Sequence, residues 1–306
     1  MDKFTRREFL RRAGIIGAAT CGLTLAGDEL LEFLEEAEAA SPPTLSVASD
    51  GSAEALVKKA IDGLGGIKKF VKRGNSVVIK PNLAWARIPH EAATTNPQVI
   101  SALIKLCKQA GASRIIVLEH TCDSAAVTFK LSGAQGAVAG TGARLISADR
   151  ESMYRRISIP KGKILKSDDC AREVLDADVF INVPIAKVHD ATTVTASMKN
   201  LMGTNRNRQR WHMSDDLEQC IADYSSAVKP DLIVLDALRV LVTRGPKGPG
   251  KTKDIGKIAA CTDPVAIDAY ASTLVGKSPR EVKHIVYAAS MGLGQIDLKK
   301  VNTRKV

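Results

Sequence analysis

What is scarce in these 306 residues narrows their function first. Aromatic side chains make up only 4% of the chain, with six Phe, four Tyr and two Trp. No nucleic-acid reading motif accompanies its excess of basic residues, so a nucleic-acid partner is excluded. The six cysteines form no CxxC pair and no ligand-like cluster. That excludes an in-chain iron–sulfur motif and a disulfide-stapled mini-protein. Five of them follow residue 40: Cys107, Cys122, Cys170, Cys220 and Cys261. An odd number cannot all pair within one chain, and buried free thiols are the expectation. No apolar run reaches the roughly 20 residues of a stable membrane span. Acidic residues number 33 against 44 basic ones, a formal charge of +11. Residues 1–40 carry five basic and eight acidic side chains, so the remainder stands at +14. Such a charge favours anionic partners. What is present, 45% hydrophobic and 25% charged residues, is in globular proportion.

The N-terminus reads as an address. Thr5 to Arg11 spell TRREFLR, which resembles the twin-arginine export signal. An apolar, Gly/Ala-rich stretch follows from Ala13 to Gly27, too short to span a membrane. Ala37-Glu38-Ala39 offers a small-x-small cleavage site, and Cys21 lacks a lipobox. The expectation is a signal peptide over 1–40 and an exported, periplasmic-type protein, with the twin-arginine translocase as a transient partner. Passengers of that route cross already folded, and many carry a cofactor. Here a divalent metal is one expectation and a redox partner protein another.

Residues 41–306 alternate strand and helix patterns. Strands are expected at 75–81, 114–120, 144–148, 178–184, 231–237 and 256–263. Helices are expected at 96–111 with Asn96 as cap, at 167–177, at 214–228 with Ser214 as cap, and at 263–276 with Asp263 as cap. The fold class is α/β: a mostly parallel central sheet with helices on both faces, doubly wound in Rossmann-like layers. It forms a single domain with a basic, helix-poor insertion at about 203–213.

In a parallel sheet the carboxyl ends of all strands share one edge, where ligands bind. These ends carry Lys80 and Asn82, Glu119 and His120, Lys187 and His189, Asp236, and Thr262 with Asp263. Lys187 and His189 lie two apart and point the same way if extended. In the insertion, Arg206, Arg208 and Arg210 alternate with amides and would share a face in an extended loop, suited to carboxylate or phosphate. GPKGPGKT (245–252) matches a P-loop letter for letter. A P-loop needs a helix starting at its Lys. The residues that follow read as a strand, so ATP is not expected. Lys247 and Lys251 could still face an anion.

IKPNL (79–83), NP (96–97), VLEH (117–120), INVPIAKVH (181–189), ASMKNLMG (196–203), His212, LIVLDA (232–237), GPKGPG (245–250) and TDPVAIDA (262–269) occur in this order. Together they resemble the family called domain of unknown function 362, over about residues 75–275. The resemblance implies site positions at Lys80, Asn82, Glu119, Lys187, His189, Lys199, Asn200, Asp236 and Asp263. It implies no reaction.

The leading expectation is an anionic small molecule or cofactor bound in a basic crevice, with an enzymatic role open. Lys187 and Lys199 hold the anion, His189 transfers a proton, and Glu119 or Asp236 orients it or binds a cation. Lys80, Asn82, Asn200, Arg206, Arg208, Arg210 and Asp263 complete the binding set. A second reading is a metal-binding or redox accessory protein with His189, His212 and Asp236 as ligand types. A third is a non-catalytic solute-binding module.

Overall fold

Successive side chains of a strand meet opposite faces of its sheet, and here both faces are covered. The computed structural model describes residues 42–306. The twin-arginine segment, its cleavage site and Cys21 lie outside those residues. Val78, Ile116, Phe180, Ile233 and Leu235 enter one core, while Val77, Ile79, Val117, Ile181 and Val234 enter the other. Burial on both sides is why these strands read as continuous apolar runs.

The chain runs β1 (Thr44–Ser49), α1 (Ala53–Asp62), α2 (Ile67–Phe70), β2 (Ser76–Pro81), α3 (Pro97–Gln109) and β3 (Arg114–Glu119). Then come α4 (Ala125–Leu131), α5 (Ala134–Val138), β4 (Arg144–Ser147), β5 (Tyr154–Ser158), β6 (Ser167–Ala171) and α6 (Arg172–Asp176). The site region holds β7 (Val179–Val183), β8 (Ile185–His189), β9 (Thr193–Thr195), α7 (Ser197–Asn200) and α8 (Arg208–His212). The rest is α9 (Leu217–Ala227), β10 (Leu232–Leu241), β11 (Thr252–Cys261), α10 (Pro264–Leu274), α11 (Lys283–Ser290) and β12 (Asn302–Lys305). Side chains of α1 and α3 fill one core, and those of α7, α9, α10 and α11 fill the other.

The main path of the large sheet is β12-β1-β11-β10-β7-β2-β3-β4. From β10 to β4 each neighbouring pair is parallel. β8 continues past Pro184 to pair in parallel with the outer part of β10, and β9 folds back antiparallel on β8. β2, β3 and β4 follow one another to one side; β7 and β10 then lie on the other side of β2. The order reverses between β2 and β7, and such a reversal opens a crevice at the carboxyl ends of the strands.

Several expectations change in the structure. β11 is antiparallel to β10, with Cys261 opposite Ile233. Its carboxyl end, and Asp263 with it, therefore lies at the edge where β10 begins, away from the crevice. Strand direction is a tertiary property, invisible in IAACTD. Residues 167–171 form β6 rather than a helix, paired with β5. The buried Asp168 there accepts a hydrogen bond from Trp211 Nε1 at 2.6 Å. Ser214 does not cap α9: its hydroxyl bonds Trp211 O, and Asp216 Oδ1 accepts from Glu218 N at 2.9 Å instead. The segment 203–213 is not helix-poor, since it carries α8. β1 and α1 were not among the expected elements.

Asp263 does cap α10, accepting from Val265 N and Ala266 N at 2.8 Å each, and its other oxygen takes Gln295 N at 2.9 Å. Asp263→Ala is expected to lower stability by about 1–2 kcal/mol. A urea midpoint lowered by that amount, with the far-UV circular dichroism of the native state unchanged, would show it.

Candidate functional site

The crevice at the strand ends is a cleft of about 500 Å³. Asn82, Glu119, Lys187, His189, Lys199, Asn200, Arg208 and His212 line it, all foreseen from sequence. Its walls also include Trp85, Cys122, Asp190, Thr195 and Lys247.

Two buried lysines, Lys187 and Lys199, line the cleft, and a third, Lys80, expected there, lies behind its wall outside the lining; each is held differently. Lys80, at the end of β2, donates to Glu119 Oε2 at 2.8 Å, Pro81 O at 2.6 Å and Asn200 Oδ1 at 3.3 Å. All three of its protons are used, one on a carboxylate. Glu119 is equally committed, accepting also from Leu83 N at 2.7 Å and His120 N at 3.0 Å. Burial lowers the Lys80 pKa and the Glu119 charge opposes that shift. Lys80 and Glu119 thus brace the floor of the cleft.

Lys187 sits on β8. Its Nζ donates to Asn82 Oδ1 at 3.1 Å and to Ala93 O, both uncharged. Burial, joined by the charges of Lys199 and Lys80, brings its pKa down to about 7. Lys199, on α7, donates to Met202 Sδ at 2.9 Å and to no other partner among the described residues. Burial lowers it to about 8.

The two positions apart on β8 behave as the spacing predicted: Lys187 and His189 both face the cleft, and Thr195 pairs opposite Lys187. His189 Nδ1 accepts from Ala191 N at 3.1 Å, which leaves the ring hydrogen on Nε2. Burial, then the charges of Lys199 and Lys187, drive its pKa down to about 2. His189 is therefore a neutral imidazole. Asp190 Oδ1, 3.0 Å from Nδ1, forms no ion pair with it and accepts from the same Ala191 N–H.

An amide relay ties these groups to the helices behind. Asn200 Oδ1 accepts from Asn82 Nδ2 at 3.0 Å, and Asn200 Nδ2 donates to Asn182 Oδ1 at 2.8 Å. Asn182 Nδ2 reaches Ser197, whose N–H donates to Asp268 Oδ1 at 2.6 Å. Asp268 in turn lies 3.9 Å from His284, itself bonded to Glu218.

The arginines part company because the segment coils instead of extending. Arg208 is fixed by the carbonyls of His120 and Thr121 and lines the cleft. Arg206 turns to Glu151 at 2.9 Å, and Arg210 is exposed outside the lining. Asp236 is also outside it. Its carboxylate accepts from Asn96 N at 2.7 Å and Leu238 N at 3.1 Å, and burial pushes its pKa up to about 6. Asp236 is thus not assembled with His189 and His212. Among the described residues no group of three or more His, Cys, Asp or Glu is placed to hold a metal ion.

Of the cysteines, Cys107, Cys170, Cys220 and Cys261 are buried and free, whereas Cys122 is exposed at the cleft. Lys247 lies 5.2 Å from the Trp85 ring centroid and 3.3 Å from Asp123 Oδ1, while Lys251 is not part of the lining. After GPKGPGKT the chain enters β11, not a helix.

A family model described as a domain of unknown function (DUF362) matches residues 77–273. Among curated proteins, the chain is 27% identical over 250 residues to a thylakoid-associated protein of Synechocystis sp., covering 79% of this chain and 76% of that one. Among solved structures it is similar to the lactate racemase apoprotein from Thermoanaerobacterium thermosaccharolyticum, with a TM-score of 0.47 and 13% identity. It is also similar to a structural-genomics protein from Thermotoga maritima, with a TM-score of 0.44 and 9% identity. These alignments cover 72% and 78% of this chain but only 55% and 59% of the respective structures.

Gly203 is the most sterically constrained position of the site. A Cβ there would meet Glu119 Oε1 at 1.8 Å and Lys80 Cε at 2.5 Å. Gly203→Ala is expected to cost about 1–3 kcal/mol by overpacking. Gly136→Ala, in α5 where nothing lies within 4 Å, is the control and should leave the urea midpoint unchanged or raised.

Proposed function

Because this chain belongs to the DUF362 family, whose description names no reaction, we propose a function from the cleft itself: it binds a small organic anion and acts on it. The observation that carries this reading is Lys199. Its ammonium is buried and holds only a thioether among the described residues. An ammonium without a carboxylate is costly to bury, and an incoming carboxylate or phosphate would complete it. Arg208 supplies a fork beside it, pre-set by two backbone carbonyls. Asp190 and Glu218 offset part of this charge but form no hydrogen bond with Lys199, and Glu119 is taken by Lys80.

The division of labour differs from the one expected of the motifs. His189, a neutral imidazole, offers a hydrogen bond from Nε2 rather than a proton at neutral pH. Lys187, near its neutral form, is the group able to give or take one. An anion in the cleft would offset part of the positive field that depresses His189. The twin-arginine pattern supports export of this activity.

Binding should depend on pH with a defined sign. Lys199 and Lys187 are charged below their lowered pKa values of about 8 and about 7. Anion affinity is therefore fullest at low pH and is lost as pH rises through those values. Titration calorimetry with oxalate and with inorganic phosphate is expected to show binding about ten-fold weaker at about pH 9 than at about pH 7. Lys199→Gln should weaken it by about ten- to a hundred-fold, the worth of a charge-assisted bond. Arg206→Ala, outside the lining, should not change it. Folded Lys199→Gln protein with wild-type affinity would overturn the reading.

A further inference from the structure

We infer that Lys187 is a nucleophile whose amine condenses with the carbonyl carbon of an anionic aldehyde or ketone held in the cleft. The inference rests on the anion-binding reading and sharpens it to a substrate class.

The argument is a comparison of three amines. Lys80 has three acceptors for three protons, one of them a carboxylate, and is held as an ammonium. Lys199 has a single soft partner, with Arg208 as a cationic neighbour and no carboxylate bonded to it, the setting for an anion. Lys187 has two acceptors, Asn82 Oδ1 and Ala93 O, and neither carries charge. A neutral amine has two hydrogens and one lone pair. Both hydrogens are taken by those two acceptors, so the lone pair occupies the remaining tetrahedral position of a nitrogen whose side chain lines the cleft. The acceptors are themselves fixed. Asn82 N donates to Thr95 Oγ1 at 2.8 Å, and its amide nitrogen is held by Asn200 at 3.0 Å. The amine is thereby oriented before any ligand arrives.

The lowered pKa of Lys187 agrees with this geometry, because a desolvated lysine beside other cations is the usual form of an imine-forming amine. The two lysines then divide the work. Lys199 with Arg208 holds the carboxylate or phosphate, and Lys187 reaches the carbonyl.

The step balances without a co-reactant. The lone pair of Nζ forms the C–N bond, and the carbonyl π pair moves to oxygen. Both amine hydrogens leave with that oxygen as water, and a C=N bond remains. His189 Nε2–H, on the same face of β8, is the neutral donor available to the oxygen as it develops charge. The resulting imine, once protonated, draws electrons from the bond next to it, so the chemistry served is at the carbon beside a carbonyl.

The test uses the full chain with glyoxylate, an anionic aldehyde, and with propionaldehyde as its uncharged counterpart. Each is added with sodium cyanoborohydride near neutral pH, and the modified lysines are mapped by peptide mass spectrometry. The expected result is glyoxylate labelling concentrated at Lys187 and at least about ten-fold above that by propionaldehyde, the margin of one charge-assisted contact. Oxalate, which cannot form an imine, should protect Lys187 in the unmodified protein. Lys187→Arg, folded as judged by circular dichroism, should abolish the label at this site without transferring it to Lys199. Oxalate binding intact with label scattered over surface lysines would overturn the nucleophile and leave the anion site standing. Equal labelling of Lys187 by both aldehydes would overturn the anionic substrate class. Neither oxalate binding nor Lys187 labelling would overturn both readings.

Discussion

The ion pair between Lys80 and Glu119 is the constraint on which the rest of the cleft depends. Both side chains are almost wholly buried, 2.8 Å apart. Burying an unpaired charge costs several kcal/mol, and a buried pair recovers that cost only when its remaining hydrogen-bonding positions are filled. Here they are filled, by Pro81 O, Asn200, Leu83 N and His120 N. The pair thereby joins the carboxyl ends of β2 and β3 to the turn after α7. Gly203 has to be glycine because that turn passes against the pair itself. A carboxylate so occupied hydrogen-bonds neither Lys187 nor Lys199 and offsets the charge of Lys187 only in part.

The same chemistry explains why buried polar groups are tolerated at the centre of this protein. The relay from Asn82 through Asn200, Asn182 and Ser197 to Asp268 leaves few of its donors and acceptors unmet. It couples the strand ends to α10, and through His284 and Glu218 to α11 and α9. A network so nearly satisfied, with His284 Nε2 as its unpaired buried atom, rigidifies what it connects. The lysines at its end are thus presented on a fixed frame.

Much of this was legible in the residues. The layered α/β class followed from β-branched runs alternating with capped helices, and Lys187 with His189 followed from a two-residue spacing that β8 keeps extended. Other parts depended on facts that no local pattern carries. Asp263 was grouped with the crevice because IAAC ends a strand, but only pairing with β10 reveals that this strand runs the other way. Arg206, Arg208 and Arg210 share a face only if the segment extends, and Arg208–His212 is helical. Trp85 and Cys122 follow strand ends directly and could have been added on that ground. Thr195 could not, since it arrives by folding β9 onto β8.

The antiparallel step from β10 to β11 has one more effect. A parallel partner would need a crossover that leaves the crevice and returns from the far edge. A hairpin stays where the strand ended, so the segment 242–251 remains beside the cleft, with Pro246 and Lys247 on its wall. Gly245 pins its near end against β8, where a Cβ would lie 1.8 Å from Val188 O. Beyond that pin, Arg87 donates to Lys247 O at 3.0 Å and to Gly248 O at 3.3 Å, and Lys247 pairs with Asp123 at 3.3 Å, so the tip is tied to the loops after β2 and β3. The fold therefore builds the cleft from two kinds of wall, a floor of strand ends braced by buried polar pairs and a rim carried by a single hairpin loop.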